Sequence, residues 1–324
     1  MKVYDLEKLG INKISFYLAL EEYLLSKDDE AFFVWRIDKS IIIGKHQLLE
    51  AEVNVDYALS LGAEIFRRPS GGGAIFADEG CFMYTFITKL RNKDEIYKKY
   101  LSYIKDALLK LGLNVTLSGR NDLLFNDKKF SGLALYETKD GACLHGTFLF
   151  DTNLENLVKC VTPSNEKLIS KGIKSVSSRV INLKNYLKIP KKEVIKALED
   201  EISPSKIVLG EDEIKKVRQL ENKYLDKSWI FDKKPPYTIT FKKRVTCGEF
   251  LFFIDIINDK IKNIKLFGDF FFVKDINNIL SEFIDKCYNL ETINSIINAY
   301  NVSEYIIGLD NNTFIEILSG GLNG

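Results

Sequence analysis

The sequence predicts an α+β protein built as two domains. Three observations carry this. Amphipathic helical stretches are interspersed with short apolar runs of strand length through the first two thirds of the chain. KKPPY (233–237) then places two consecutive prolines where neither a helix interior nor a central strand tolerates them. Beyond it the texture changes to long strand-like runs followed by helical ones, which reads as a small α+β domain of about 90 residues. A length of 324 residues fits this division, at roughly 150 residues per domain. The expected boundaries are 1–235 and 236–324.

The elements follow in order. KISFYLALEEYLLS (13–26) repeats apolar residues at helical spacing, with Glu21 and Glu22 expected on the opposite, solvent-facing side. AFFVWRI (31–37) and SIIIGK (40–45) read as strands about a short Asp-Lys turn. VDYALSLG (55–62) reads as a short helix closed by glycine, and AEIFRR (63–68) as a strand. CFMYTFITKL (81–90) is a further strand, and residues 93–112 form the clearest helix, closed by Gly112. DLLF and KKFSG flank Asn126-Asp127, the pattern of a hairpin. Residues 153–228 predict mostly helices and connectors, KEVIKALEDEI and EDEIKKVRQLENKYL most clearly. In the last domain YTITFKKR, EFLFFIDIIND and KIKNIKLFGDFFFV predict strands, INNILSEFIDKCY and ETINSIINAY helices.

Bulk properties exclude several classes. Lys+Arg 46 against Asp+Glu 45, a net charge of +1, is too balanced for the chain as a whole to bind nucleic acid or a membrane surface by charge, and leaves only a local basic patch open. The N-terminus carries no apolar secretion segment, and the longest apolar runs are too short to span a bilayer. Five scattered cysteines without a CxxC pair fit a reduced, cytoplasmic setting. Two histidines, His46 and His145, are too few for a histidine-rich metal site.

The most informative stretch is RRPSGGGAIFAD (67–78). Three consecutive glycines are costly to order, so they imply a tight turn or a ligand that the backbone touches. Neither GxxxxGK[ST] nor GxGxxG is present, and the loop joins two strands where those motifs pass from strand to helix. A Ser-Gly-Gly-Gly loop between strands can turn several N–H groups inward as an anion nest. Arg67 and Arg68 would add charge-assisted hydrogen bonds to a phosphate or carboxylate. A tight strand connection with exposed arginines is the alternative.

The loop resembles the RRxSGGGAVxHDxG segment of the lipoate–protein ligase family. ISFYLALEEYLL, FFVWR, IIIGKHQ, SGRNDLLF, KKFSGLA, HGTFLFD and KGIKSVSSRVINL resemble further family segments, in order and in register. The region after KKPPY resembles the accessory domain of the two-domain ligases. The resemblance implies a biotin/lipoate-ligase-like catalytic domain of mixed and antiparallel sheet with packed helices. It also implies a two-step reaction. Lipoate and ATP give lipoyl-AMP and pyrophosphate, and the lipoyl group then passes to a lysine of an acceptor domain. Acceptors in the family are the E2 subunits of 2-oxoacid dehydrogenases and the glycine cleavage H protein.

Carried onto this chain, the resemblance makes Lys129 the catalytic lysine. It places ligand contacts at Arg68, Ser70, Gly71, Gly72, Gly73, Ala74, Ile75 and Phe76. Further contacts fall on Asn121, Asp122, Gly132, Ala134 and His145, with Trp35 lining the tunnel for the lipoyl tail. Asp122 would hold Mg²⁺, the ion that accompanies ATP. By itself Lys129 reads as a solvated strand end, and His145 as a satisfied core residue.

The chain departs from the family pattern at Ala77 (usually histidine), Cys81 (asparagine), Lys45-His46 (Arg-Asn) and Thr85 (serine). Ala77 puts the strength of adenylation in question. Two other readings follow: an ATP-independent octanoyl or lipoyl transferase with a cysteine nucleophile, and a lipoate- or adenylate-binding protein without catalysis. The extra domain, and the lack of a cysteine between Cys81 and Cys143, count against the transferase. The GRGRxGR loop of biotin ligases is absent.

Overall fold

The computed structural model describes all residues except 119–120, 162–178, 232–236 and 324. KKPP and most of KGIKSVSSRVINL therefore lie outside the described residues. Among the described residues the first unit carries strands β1 (Lys2–Tyr4), β2 (Glu30–Trp35), β3 (Ser40–Ile43), β4 (Glu64–Arg67), β5 (Ile75–Ala77) and β6 (Cys81–Thr88). These are followed by β7 (Thr116–Ser118), β8 (Asp122–Phe125), β9 (Lys128–Thr138), β10 (Gly141–Leu149) and the two-residue β11 (Lys206–Ile207). Its longer helices are α1 (Ile14–Lys27), α2 (Val55–Ser60), α3 (Lys93–Lys110), α4 (Leu154–Cys160), α5 (Lys191–Ile202) and α6 (Glu211–Leu225).

The main sheet runs β11-β1-β2-β6-β10-β9-β8-β7. It is parallel at β11/β1/β2 and antiparallel from there on, a mixed sheet as expected. Side chains alternate across it, as the pleat requires. Phe32, Val34, Phe82, Tyr84 and Phe86 face one core with residues of α3 and α5. Phe33, Trp35, Met83 and Ile87 face the other, with α1 and α6. A small sheet β4-β3-β5 stands beside this body and holds the glycine loop between β4 and β5. The β8–β9 hairpin turns at Asn126 (φ 49°) and Asp127 (φ 59°), the left-handed pair a tight hairpin needs.

Helix α1 corrects the sequence reading. Glu21 does not face solvent; it is fully buried, while Glu22 stays near the surface and pairs with Lys223 at 2.8 Å. The reason is α6, which covers the side of α1 away from the sheet: Ser15 Oγ donates to Glu221 at 2.6 Å. A helix covered on two sides buries residues that a one-sided amphipathic pattern assigns to water.

The second unit is an antiparallel meander of β12 (Ile239–Val245), β13 (Gly248–Ile257) and β14 (Lys260–Gly268), with α7 (Leu290–Asn298) and α8 (Asn311–Ser319). It has its own core, around Phe250, Phe252, Ile264, Ile293 and Phe314. The sequence reading did not assign β1, β11 or α8. The expected helix over 276–288 is a single turn at Asn277–Leu280 followed by a 3₁₀ turn. GDFFFV does not continue as strand. β14 ends at Gly268, and the phenylalanines behind it dock on the first unit. Gly268 N–H donates to the His46 carbonyl at 2.6 Å and Gly72 N–H to the Phe270 carbonyl at 3.1 Å. The His46 ring stacks on Phe270 (5.3 Å) and meets Phe272 edge-on (4.7 Å). Burial, with the Lys45 cation beside it, pulls the His46 imidazole down to about 3, so it sits there neutral. Among the described residues no helix is long and apolar enough to cross a membrane.

Candidate active site

A cavity of about 240 Å³ opens between the glycine loop and the β8–β10 face of the main sheet. Arg68, Gly72, Gly73, Ala74, Ile75 and Phe76 line it from the loop. Asn121, Lys129, Gly132, Ala134 and His145 line it from the hairpin and β10. Sequence reasoning did not single out the rest of its wall: Met83, Leu133, Gly146, Thr147, Leu149, Leu157, Val161, Val180 and Phe271. These residues make most of the body apolar. Phe271 comes from the second unit, and no local signal in GDFFFV marks it as a pocket residue.

The loop side is held from within. Arg68 is buried, and its guanidinium donates to the carbonyls of Ile42 (3.0 Å), Gly71 (2.7 Å) and Gly73 (2.8 Å) and to Ser70 Oγ (3.0 Å). Burial, and then the neighbouring Arg67 cation, lower it to about 10, still charged at neutral pH. Gly72 sits at φ +87°, where a side chain would also meet the Phe271 ring at 2.7 Å. At Gly44 a Cβ would lie 2.3 Å from the Gly72 carbonyl, which explains the glycine of IIIGK.

Arg67 departs from expectation. It points away from the cavity, and its guanidinium donates to the carbonyls of Gly44, Lys45, Gln47, Trp229 and Ile230 at 2.7–3.2 Å. The strand pleat sends neighbouring side chains to opposite faces, so only one of the two arginines reaches the site.

Among the described residues the opposite side carries one ion pair. Lys129 Nζ lies 2.7 Å from Asp122 Oδ1, and both side chains are about one third exposed. The register of β8 against β9 shifts between Leu123 and Leu124, which lets residues from mismatched ladder positions meet. Gly132 makes room for the lysine: a Cβ there would lie 2.8 Å from Lys129 Nζ. Asn121 donates through Nδ2 to the Leu133 carbonyl at 2.8 Å, fixing the start of the hairpin.

Four predicted residues are not part of the lining. Asp122 pairs with Lys129, and Ser70 and Gly71 accept from Arg68 within the loop. Trp35 is the clearest displacement. It is fully buried, stacks on Tyr17 at 5.3 Å and meets the edge of His145 at 6.0 Å. His145, on β10, lines the cavity with Trp35 beside it.

Behind the lining runs a buried polar chain. Ser70 Oγ lies 2.7 Å from His145 Nε2, and His145 Nδ1 lies 2.9 Å from Glu21 Oε1. Glu21 also accepts from Thr85 Oγ1 (2.7 Å) and the Tyr136 hydroxyl (3.2 Å), and Thr85 Oγ1 accepts from Trp35 Nε1 (2.8 Å). Burial raises the Tyr136 and Cys143 groups beside it well above their ordinary values. Glu21 was missed because its helix looked one-sided.

No cysteine lines the cavity. Burial pushes the Cys81 thiol up to about 12 and the Cys160 thiol up to about 11. Such thiols are poor nucleophiles.

Residues 13–203 match the family described as the lipoyl protein ligase A/B catalytic domain, and 234–318 match the bacterial lipoate protein ligase C-terminus. The chain belongs to the lipoate–protein ligase family. It is 31% identical over 313 residues to lipoate–protein ligase 1 of Staphylococcus aureus (strain Mu50), which spans 93% of this chain and 95% of that protein. Among solved structures it is similar to P. falciparum LipL1 in complex with lipoate, at TM-score 0.79, 23% identity, and 99% and 98% coverage of the two chains. A lipoate–protein ligase A bound with ATP matches at TM-score 0.61 and 22% identity, over 71% of this chain and 98% of that one. At these identities the structural likeness is one of fold, and it extends through both units for the first of them.

Proposed function

We propose that this chain activates lipoate with ATP to lipoyl-AMP, and then passes the lipoyl group to a lysine of an acceptor domain. The acceptors would be E2 subunits of 2-oxoacid dehydrogenases or the glycine cleavage H protein. One observation carries the reading. A single cavity joins an apolar body to a cationic rim where the glycine loop and Lys129 face each other. An aliphatic carboxylic acid that must meet a nucleotide phosphate asks for that division. The structures of relatives with lipoate and with ATP support it.

The roles follow from the chemistry. Carboxylate and α-phosphate are both anionic, so their approach needs charge aimed between them. Lys129, leaving Asp122, supplies a compact cation there, and again as AMP departs. Gly72, Gly73 and Ala74 offer backbone amides, with Arg68 behind them. In this structure the Gly72 amide is held by the Phe270 carbonyl, an oxygen where an adenylate oxygen would otherwise accept. The tail lies against Ile75, Phe76, Gly132, Ala134 and His145, with Trp35 backing His145.

Among the described residues the cavity lining holds no carboxylate, and Asp122, paired with the lining Lys129, is the acidic ligand we assign to Mg²⁺. One carboxylate fits an ion that also binds substrate phosphates and water. Bound with ATP, the ion would neutralise phosphate charge. We place the catalytic unit at 1–235 and the accessory unit at 236–324. The raised thiols, and their absence from the cavity, disfavour the cysteine transferase.

The test is modification of a purified lipoyl acceptor domain, read by intact mass with lipoate and Mg-ATP. A single lipoyl addition that requires ATP supports the reading. Addition from an acylated carrier without ATP would replace it with the transferase.

A further inference from the structure

With an ionised Glu21 and a neutral His145, the chain Arg68–Ser70–His145–Glu21–Thr85–Trp35 takes one hydrogen-bond direction. Arg68 Nε is always a donor, so Ser70 Oγ accepts from it at 3.0 Å. At the other end, the Glu21 carboxylate only accepts. It takes hydrogens from Thr85 and Tyr136, and His145 Nδ1 must donate to it at 2.9 Å. A neutral His145 with hydrogen on Nδ1 has a bare Nε2. The Ser70 hydroxyl, 2.7 Å away, therefore gives its only hydrogen to that nitrogen. Ser70 then has none left for a ligand, and serves the site by holding Arg68. Arg68 in turn holds the Gly71 and Gly73 carbonyls. In this arrangement Ser70 holds Arg68 in place of donating to the adenylate.

We propose that Glu21 is a positioning residue for the glycine loop: by accepting from His145 Nδ1 it fixes the imidazole tautomer, which sets Ser70 and through it Arg68 and the loop carbonyls. The same carboxylate accepts from Thr85, which Trp35 holds, so the deep wall and the phosphate-facing loop share one buried anchor. Remove that acceptor and His145 can carry its hydrogen on Nε2. Ser70 Oγ would then face two donors, Arg68 and His145, and its own hydrogen would turn toward the loop. The link to catalysis rests on the adenylation reading proposed above; the tautomer does not.

The chain contains only two histidines, which makes the tautomer directly readable. Ring ¹⁵N shifts of the histidine-labelled protein, with His46→Gln for assignment, should show His145 carrying hydrogen on Nδ1 alone. Glu21→Gln keeps an accepting oxygen. It should keep that tautomer, with lipoate-dependent pyrophosphate exchange within about threefold of the parent. Glu21→Leu leaves buried donors unanswered and should lower kcat for exchange about tenfold or more, with KM for ATP little changed and the Nε2–H form appearing. Hydrogen on Nε2 in the unsubstituted protein would overturn the proposal, whether or not Glu21→Leu folds. Equal loss of exchange in both variants with the tautomer intact would overturn it too, because charge and not tautomer would then be at work. Absence of exchange in the parent, with the Nδ1–H tautomer present, would contradict the adenylation reading and leave the hydrogen-bond chain standing.

Discussion

The two sides of the cavity are built on opposite principles. The glycine loop is anchored from inside by a buried arginine with four partners, a buried hydrogen-bond chain and a glycine that only its φ and the Phe271 ring allow. The hairpin side presents one part-exposed ion pair, Lys129–Asp122, at a register shift. The loop side cannot change shape without leaving polar groups unpaired in the core, which is expensive. The hairpin side can: an ion pair at this exposure holds little energy and exchanges readily for a phosphate partner. A rigid backbone cradle faces a movable charge, which suits chemistry in which one cation must serve two successive steps.

Breaking the movable side should give the largest functional effect and the smallest structural one. Lys129→Ala should lower lipoyl-AMP formation by about 10²–10³-fold, while the melting temperature stays close to the parent's. Single-turnover formation of the adenylate, with a thermal melt, checks both halves. Unchanged turnover would remove Lys129 from its role.

Breaking the rigid side should reverse the balance. Arg67 is as buried as Arg68 but faces the carbonyls of Gly44, Lys45, Gln47, Trp229 and Ile230. Arg67→Leu should cost about 2–4 kcal/mol in urea unfolding by leaving those carbonyls unpaired. Residual activity per folded molecule should exceed that of Lys129→Ala. A smaller effect is expected from Asp122→Asn. It frees Lys129 but removes the nearest carboxylate, so the Mg²⁺ concentration at half-maximal exchange should rise severalfold with kcat little altered. An unchanged Mg²⁺ dependence would detach Asp122 from the ion.

The contact between the two units sharpens the comparison through pH. Burial, with Asp269 and Glu249 of the second unit nearby, raises the Glu52 carboxyl to about 7. The folded protein therefore holds a proton there that the unfolded chain, near 4.5, has released. Glu52 thus contributes stability that is present at low pH and is lost as pH rises through about 7. Glu52→Gln should flatten the fall in melting temperature between about pH 5 and pH 7, the smallest of these effects. An identical slope in both proteins would contradict the assignment.

Much of this was legible in the sequence, and what was not has physical causes. The hairpin at Asn126-Asp127 and the long helix at 93–110 were readable because turn chemistry and periodicity are local. So was the meeting of RRPSGGG with KKFSG and HGT, through the resemblance that set them in register. Glu21 was not, because the second cover of α1 comes from a helix about 190 residues downstream. The destination of Arg67 was not, because two adjacent arginines look alike until the pleat separates them. Trp35 was expected on the cavity wall and lies one layer behind it, since a sequence marks a wall but not which of two neighbouring side chains faces the lumen. Phe271 was invisible because its meaning lies in the contact between units.

The most direct test of the central claim is lipoate-dependent exchange of labelled pyrophosphate into ATP, with no acceptor protein present. The account predicts exchange in the parent protein and its near-complete loss in Lys129→Ala. No exchange under conditions where lipoyl-AMP still binds would contradict it, and would mean that the cavity holds an adenylate it cannot make.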